Sequence, residues 1–145
     1  MSFVKVYIHF VWGTKDRLPL LATKAIRFKV WQHIKENTAS KGIFVDFVNG
    51  YYDHCHCLVS LSSCHSIQQV MQLIKGESSF WINENKLCAQ HFQWQDEYYA
   101  VSVSESMIDK VRNYIRNQEE HHSKYTFDQE IAKMVKLFGF EKFEN

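Results

Sequence analysis

Two short strings in this chain carry residues whose types and spacing could do chemistry together. The first is Asp53-His54-Cys55-His56-Cys57. On a strand, successive side chains alternate faces, so His54 and His56 point the same way, about 7 Å apart, and can share one ion. Cys55 and Cys57 point to the opposite face and cannot join them, which argues against a four-ligand structural zinc site. Two imidazoles leave a metal in need of at least one further protein ligand, with open positions for substrate. The second string, residues 111–118, reads VRNYIRNQ. Its Tyr114 and Gln118 are four apart and lie on one helix face. If that face packs on the histidines, Gln118 can coordinate through its amide oxygen with Tyr114 one turn away. Arg112 and Arg116 flank the same helix and could hold phosphates. Taken alone, Tyr-x-x-x-Gln also fits a surface helix with a buried tyrosine.

Elements must bring these strings together. Residues 3–12 alternate, with Val4, Val6, Ile8, Phe10 and Trp12 on one face and Lys5, Tyr7 and His9 on the other, as in a half-buried strand. A polar, basic connection follows. Ile26, Val30, Trp31 and Ile34 have helical spacing within residues 22–40, and Gly42 sits where that helix should end. Residues 43–49 read as a second strand, Gly50 opens a turn through Tyr51 and Tyr52, and residues 53–61 form the third strand. Ser66 is an expected N-cap for a helix reaching about residue 85. A fourth strand is expected near residues 97–102, then one helix over 105–121 and an amphipathic helix over 126–138 stopped by Gly139. The β-α-β-β-α-β order predicts an α+β, ferredoxin-like (RRM-like) antiparallel sheet with helices on one face and additional C-terminal helices. The other sheet face, bearing the histidines, is left for something else to cover. Trp12, Trp31, Trp81 and the phenylalanines read mostly as core. His9 shares the face type of His54 and could border a site, whereas His121 and His122 read as cations suited to a helix end.

The 145 residues, 46% apolar and 23% charged, fit one domain over 1–145 and exclude a disordered chain. No run of about 18 apolar residues can span a membrane, and the first residues read as a strand rather than a signal segment, so a cytoplasmic location is expected. Four cysteines are too few for a disulfide scaffold and read as reduced thiols. The net charge of +1 hides an asymmetry: residues 1–42 carry a net +6 and the remainder a net −5. Such a basic third fits a polyanionic partner, or simply a solvated helix face. Lys15, Arg17, Lys75, Arg112 and Arg116 are the candidate phosphate contacts.

Taken together, His54-x-His56 and Tyr114-x-x-x-Gln118, about sixty residues apart, resemble the HUH single-tyrosine transposases of the smallest bacterial insertion sequences and the related REP-associated tyrosine transposases. The likeness extends to IHFVWGTKDRLPLL, GYYDHCHCLVSL, IKGESSFWIN and VRNYIRNQ, and departs from the family at Cys55, where a bulky apolar residue is usual. The resemblance implies an HUH endonuclease fold, with His54, His56 and Gln118 as ligands of a divalent metal (Mg²⁺ or Mn²⁺). It implies Tyr114 as a catalytic nucleophile that forms a 5′-phosphotyrosine and frees a 3′-OH. The implied substrate is single-stranded DNA with hairpin ends, cut by a homodimer whose sites can be composite. No nucleotide cofactor is needed, since the covalent link stores the phosphodiester energy, and no P-loop string occurs. Two other readings stay open at this stage: a non-catalytic single-strand-binding module of RRM-like fold, and a host-domesticated relative acting on repeats.

Overall fold

A computed structural model describes residues 1–143. Four strands form one antiparallel sheet: β1 (Val6–Gly13), β2 (Phe44–Tyr51), β3 (His54–Leu61) and β4 (Tyr99–Val103), in the order β2-β3-β1-β4. This is the spatial order of a ferredoxin-like split βαβ unit. Helices α1 (Lys24–Ser40) and α2 (Ile67–Glu84) pack on one face. They bury Val30, Ile34, Val70, Met71 and Ile74 against Ile8, Phe10, Trp12, Cys55, Cys57 and Val59, in keeping with the strand alternation. Thr23 caps α1 by accepting from the Ile26 N–H, and Ser66 forms a reciprocal capping box with Gln69 on α2. No helix of the described residues is long and apolar enough to cross a membrane.

The second face carries His54 and His56. It is covered, by α3 (Ile108–Arg116), α4 (Gln118–His122) and α5 (Phe127–Phe138). Leu58 packs with Ile108 and Ile115, Tyr7 lies against this cluster, and Val11 packs with Phe127, Ile131 and Met134. An open, RNA-recognition type of sheet surface is therefore not available. The helix expected over 105–121 is also not continuous. A 3₁₀ turn (Glu105–Met107) precedes α3, and Asn117 (φ −94°, ψ 26°) separates α3 from α4. Asn49 of β2 supports the break by donating through Nδ2 to the carbonyls of Ile115 (2.9 Å) and Arg116 (3.2 Å).

Strand boundaries move for local reasons. β1 starts at Val6, later than the alternation suggested, because Phe3 and Val4 lie beyond the paired region and stay exposed. The β2–β3 turn is made by Tyr52 and Asp53, and Gly50 remains within the ladder opposite Cys55. Glycine is required there, since a Cβ at position 50 would sit 2.1 Å from the His54 carbonyl oxygen. Of the aromatics expected inside, Trp12 and Phe92 are buried, but Phe3, Phe28, Phe44, Phe80 and Phe143 are well exposed.

Candidate functional site

β3 carries His54 and His56 into the interface between the sheet and the C-terminal helices, where both are fully buried. Each ring is held from behind. His54 Nδ1 donates to Asp53 Oδ1 (2.8 Å), and the ring stacks flat on Phe127 at 4.2 Å between centroids. His56 Nδ1 lies 2.9 Å from His9 Nε2 across the β1–β3 pairing. The Nε2 atoms of His54 and His56 point inward.

Gln118 begins α4 and is fully buried. Its amide nitrogen donates to the Tyr114 carbonyl (3.3 Å), which turns Oε1 toward His54 Nε2 at 2.9 Å. The expected meeting of His54, His56, Gln118 and Tyr114 is therefore present in one chain, although the turn between Tyr114 and Gln118 crosses a helix break.

Two further residues enter that sequence reading did not place there. His122, expected as a helix-end cation, has Nε2 3.0 Å from Gln118 Oε1, while its Nδ1 donates to the Tyr125 carbonyl (2.8 Å). Glu130 of α5 is 3% exposed and places Oε1 3.0 Å from His56 Nε2, 3.3 Å from His122 Nε2 and 3.5 Å from His54 Nε2. Ligand atoms of His54, His56, His122 and Glu130 all lie within 4.8 Å of one another. Each had a signal in the sequence. His122 continues the Tyr114, Gln118 spacing by four more residues, and Glu130 interrupts the apolar face made by Phe127, Ile131 and Met134.

The donor set fits a cation. His54 and His122 give their Nδ1 protons outward, to Asp53 and to the Tyr125 carbonyl. Their inward Nε2 lone pairs then face the Gln118 and Glu130 oxygens, which are acceptors too. Such an arrangement is unfavourable unless a proton or a metal lies among them. His121 Nε2 is a further buried nitrogen, without a hydrogen-bond partner among the described residues, 3.2 Å from Glu130 Oε2. Outward Nδ1–H contacts to a carboxylate and a carbonyl are also how metal-ligating histidines are oriented. The site departs from the set of neutral ligands expected for it, because Glu130 adds one anionic oxygen.

Tyr114 stands at the rim. Its hydroxyl donates to Glu130 Oε2, and its ring meets His56 edge-on at 5.6 Å and His121 at 5.4 Å. Burial, reinforced by the Glu130 charge, raises its phenol well above the ordinary value. Burial also works to raise the Glu130 carboxyl, but His56, His122 and His54 outweigh it and hold the group ionised well below the usual carboxylate range. Burial lowers His56, and it depresses His9 to about 3. His122 moves the other way: burial lowers it, but the hydrogen bond and charge of Glu130 prevail and raise it. Beside the rim lies a cavity of about 320 Å³ lined by Tyr114, His9, His121, Lys110 and Lys133.

The sequence matches the family described as Transposase IS200 like over residues 2–118. The chain belongs to that transposase family. It is accordingly an enzyme that cleaves DNA. Solved structures similar to it include a candidate transposase of Deinococcus radiodurans R1, with 21% identity and a TM-score of 0.65 over 81% of this chain and 93% of that one. Another is a REP-associated tyrosine transposase bound to a REP hairpin, with 15% identity and a TM-score of 0.62 over 93% of this chain and 85% of that one. At such identities the likeness is one of fold. Comparison with curated proteins finds no match. His121, His122 and Glu130 lie beyond the stretch matched to the transposase family, so the family pattern could not have pointed to them.

The five candidate phosphate contacts are not gathered at the site. Arg112 binds Asp46 through two hydrogen bonds (2.7 and 2.8 Å) and also reaches Asp109. Arg17 pairs with Asp128 (3.0 Å) and Glu97 (3.6 Å). Lys75 donates to the Asp96 carbonyl. Arg116 bonds Asn113 and lies over Phe47. Lys15 is exposed on the connection after β1.

Proposed function

We propose that this chain, acting as a single unit over residues 1–145, nicks and rejoins single-stranded DNA at hairpin ends of an insertion sequence, through a 5′-phosphotyrosine on Tyr114. The observation that carries this reading is the Tyr114 hydroxyl, which donates to the same carboxylate that faces His54, His56 and His122. Nucleophile and candidate metal ligands thus share one wall. In the step, Tyr114 Oη bonds to phosphorus, the bond from phosphorus to the 3′ oxygen breaks, and that oxygen leaves and takes up a proton. Glu130 Oε2 already accepts the phenol hydrogen and is the atom placed to receive it. In the arrangement described, both shifts keep the proton on Tyr114. A divalent cation held by His54, His56 and Gln118, with His122 and Glu130 in reach, would offset the Glu130 charge and polarise a phosphate oxygen. Reversal by another 3′-OH frees Tyr114 and joins the strands.

The imidazole-rich set favours Mn²⁺ over Mg²⁺. Lys15, Arg17, Lys75, Arg112 and Arg116 are the proposed DNA contacts. The REP hairpin in the similar structure supports a folded single strand as substrate. Two copies forming a homodimer are part of this reading, yet the arrangement of Tyr114 beside its own chain's histidines lets each site act in cis.

The test is adduct formation with single-stranded and hairpin oligonucleotides in Mn²⁺. Tyr114→Phe should keep its fold and DNA affinity and lose the covalent adduct, which mass spectrometry should map to the peptide containing Tyr114. His56→Ala should lose both cleavage and Mn²⁺ binding while still retaining the hairpin. An adduct in Tyr114→Phe, or cleavage in His56→Ala, would refute the assignment.

A further inference from the structure

A second groove lies away from this centre, between α2 and the segment leading into β4. Its volume is about 430 Å³, within the roughly 300–1,000 Å³ of small-ligand pockets. On α2 its wall is a stripe at helical spacing: Gln68, Gln72, Lys75, Gly76 and Ser79. Gln93, Gln95 and Tyr98 face that stripe.

Gly76 is the residue the fold does not explain. It lies in the interior of an 18-residue helix, where glycine is less favourable than any residue with a side chain except proline. Its φ is not positive, and a Cβ there would meet nothing within 4 Å. Neither backbone conformation nor packing calls for glycine, so what it preserves is the space above it. The walls around that space match an unstacked base. Side-chain amides such as those of Gln68, Gln72 and Gln93 can pair with base edges, and glutamine does so bidentately with adenine. Tyr98 offers a ring for stacking, and Lys75 Nζ is held 5.8 Å from the centre of that ring by its bond to the Asp96 carbonyl.

The groove is joined to the histidine centre. Gln95 N–H donates to the Gly13 carbonyl and Lys15 N–H to the Gln93 carbonyl, each at 2.9 Å, which pins the groove's outer wall to the end of β1. Lys15 and Arg17 follow directly. Arg17 lies over Phe127, the ring that stacks on His54. Residues 15–17 thus link the groove to the site, with Lys15 exposed between them.

We propose that this groove is a nucleotide-binding subsite that takes one unpaired base of the single-stranded DNA substrate outside the cleavage centre, with Gly76 as its floor. The inference rests on the transposase reading above. Gly76→Gln fills the floor while leaving the helix intact. Its melting temperature should equal or exceed that of the parent protein. Its affinity for a fluorescent random-sequence single strand should fall roughly tenfold, with duplex affinity unchanged. An oligonucleotide carrying 5-iododeoxyuridine should photocrosslink to the Tyr98 peptide in the parent protein and lose that crosslink in Gly76→Gln. Should Gly76→Gln fail to fold, the exposed double substitution Gln68→Ala and Gln72→Ala serves in its place. Unchanged single-strand affinity in a folded variant, or an equal loss on duplex, overturns the subsite. A parent protein that holds no single strand at all fails the reading beneath it, and is told apart by needing no variant.

Discussion

His9 illustrates how a residue away from the chemistry can govern the pH response. It is buried and bonded to His56, and burial holds it at about 3 against an ordinary 6.5. The unfolded chain therefore takes up a proton near pH 6.5 that the folded chain refuses until about pH 3. Stability should fall between those limits as pH drops, by up to about 1.4 kcal/mol per pH unit from this group. His56 and His121 act in the same direction, His122 in the opposite one, and Glu130 adds its own loss only below the ordinary carboxylate range. Urea unfolding of the metal-free protein at pH 7.5 and pH 5.5 should show the drop. His9→Gln, which keeps a hydrogen-bonding side chain but does not titrate, should flatten it. A slope unaltered by that change would show that His9 is not its source.

The β2–β3 hairpin and α5 decide whether the residues meet. A Cβ at position 50 would sit 2.1 Å from the His54 carbonyl oxygen, so Gly50 lets β2 and β3 pass that closely. Gly50→Ala must part the strands just where the first histidine leaves the turn. We expect a loss of roughly 1–3 kcal/mol and a Mn²⁺ affinity at least about tenfold weaker, read by calorimetry. A variant with lower stability but unchanged Mn²⁺ affinity would mean that His54 is held independently of the hairpin. On the other side, α5 is fixed by a Thr126–Gln129 capping box and ended by Gly139 at φ 60°. Its buried Phe127, Ile131 and Met134 press it on Val11. Phe127→Ala, which removes the ring beneath His54, should cost about 3–5 kcal/mol and loosen Glu130 from the site. Thermal unfolding and Mn²⁺ titration of that variant would show both effects; a change in stability alone would detach α5 from the metal centre.

At the scale of the whole molecule, the basic first third is already partly neutralised by the acidic remainder. Glu119 engages Lys24 and Arg27, while Asp128 and Glu97 engage Arg17. If all five proposed contacts met phosphate, the logarithm of single-strand affinity would fall with the logarithm of salt at a slope near −3.5. If Arg17 and Arg112 instead stayed with their carboxylates, three contacts would remain and the slope would be about −2. Fluorescence titration across salt separates the two, and a flat response would refute a phosphate-based interface. The same scale sets cis against trans action. Mixing Tyr114→Phe with His56→Ala protein should restore no cleavage if each chain completes its own site, and recovered activity would show exchange of the tyrosine helix between copies.

The sequence alone determined what depends on neighbours along the chain. Alternation in β1 and β3 placed His54 and His56 on one face and Cys55 and Cys57 on the other. The polar cap at Ser66 and the stop at Gly139 marked helix ends, because capping is satisfied within a few residues. The i, i+4 relation of Tyr114 and Gln118 survived even though Asn117 breaks the helix between them. What only the tertiary structure decided is how far-apart segments share one volume. The second sheet face is covered because Leu58 and Val11 had apolar partners waiting on α3 and α5, and no local pattern says which face a later helix will cover. Glu130 reaches the histidines only because α5 folds back over β1, a placement set by burial of Phe127, Ile131 and Met134, while His122 reaches them from α4. Arg17 and Arg112 read as free cations until the fold brought Asp128 and Asp46 beside them, since charge pairing across 111 and 66 residues has no signature in sequence spacing.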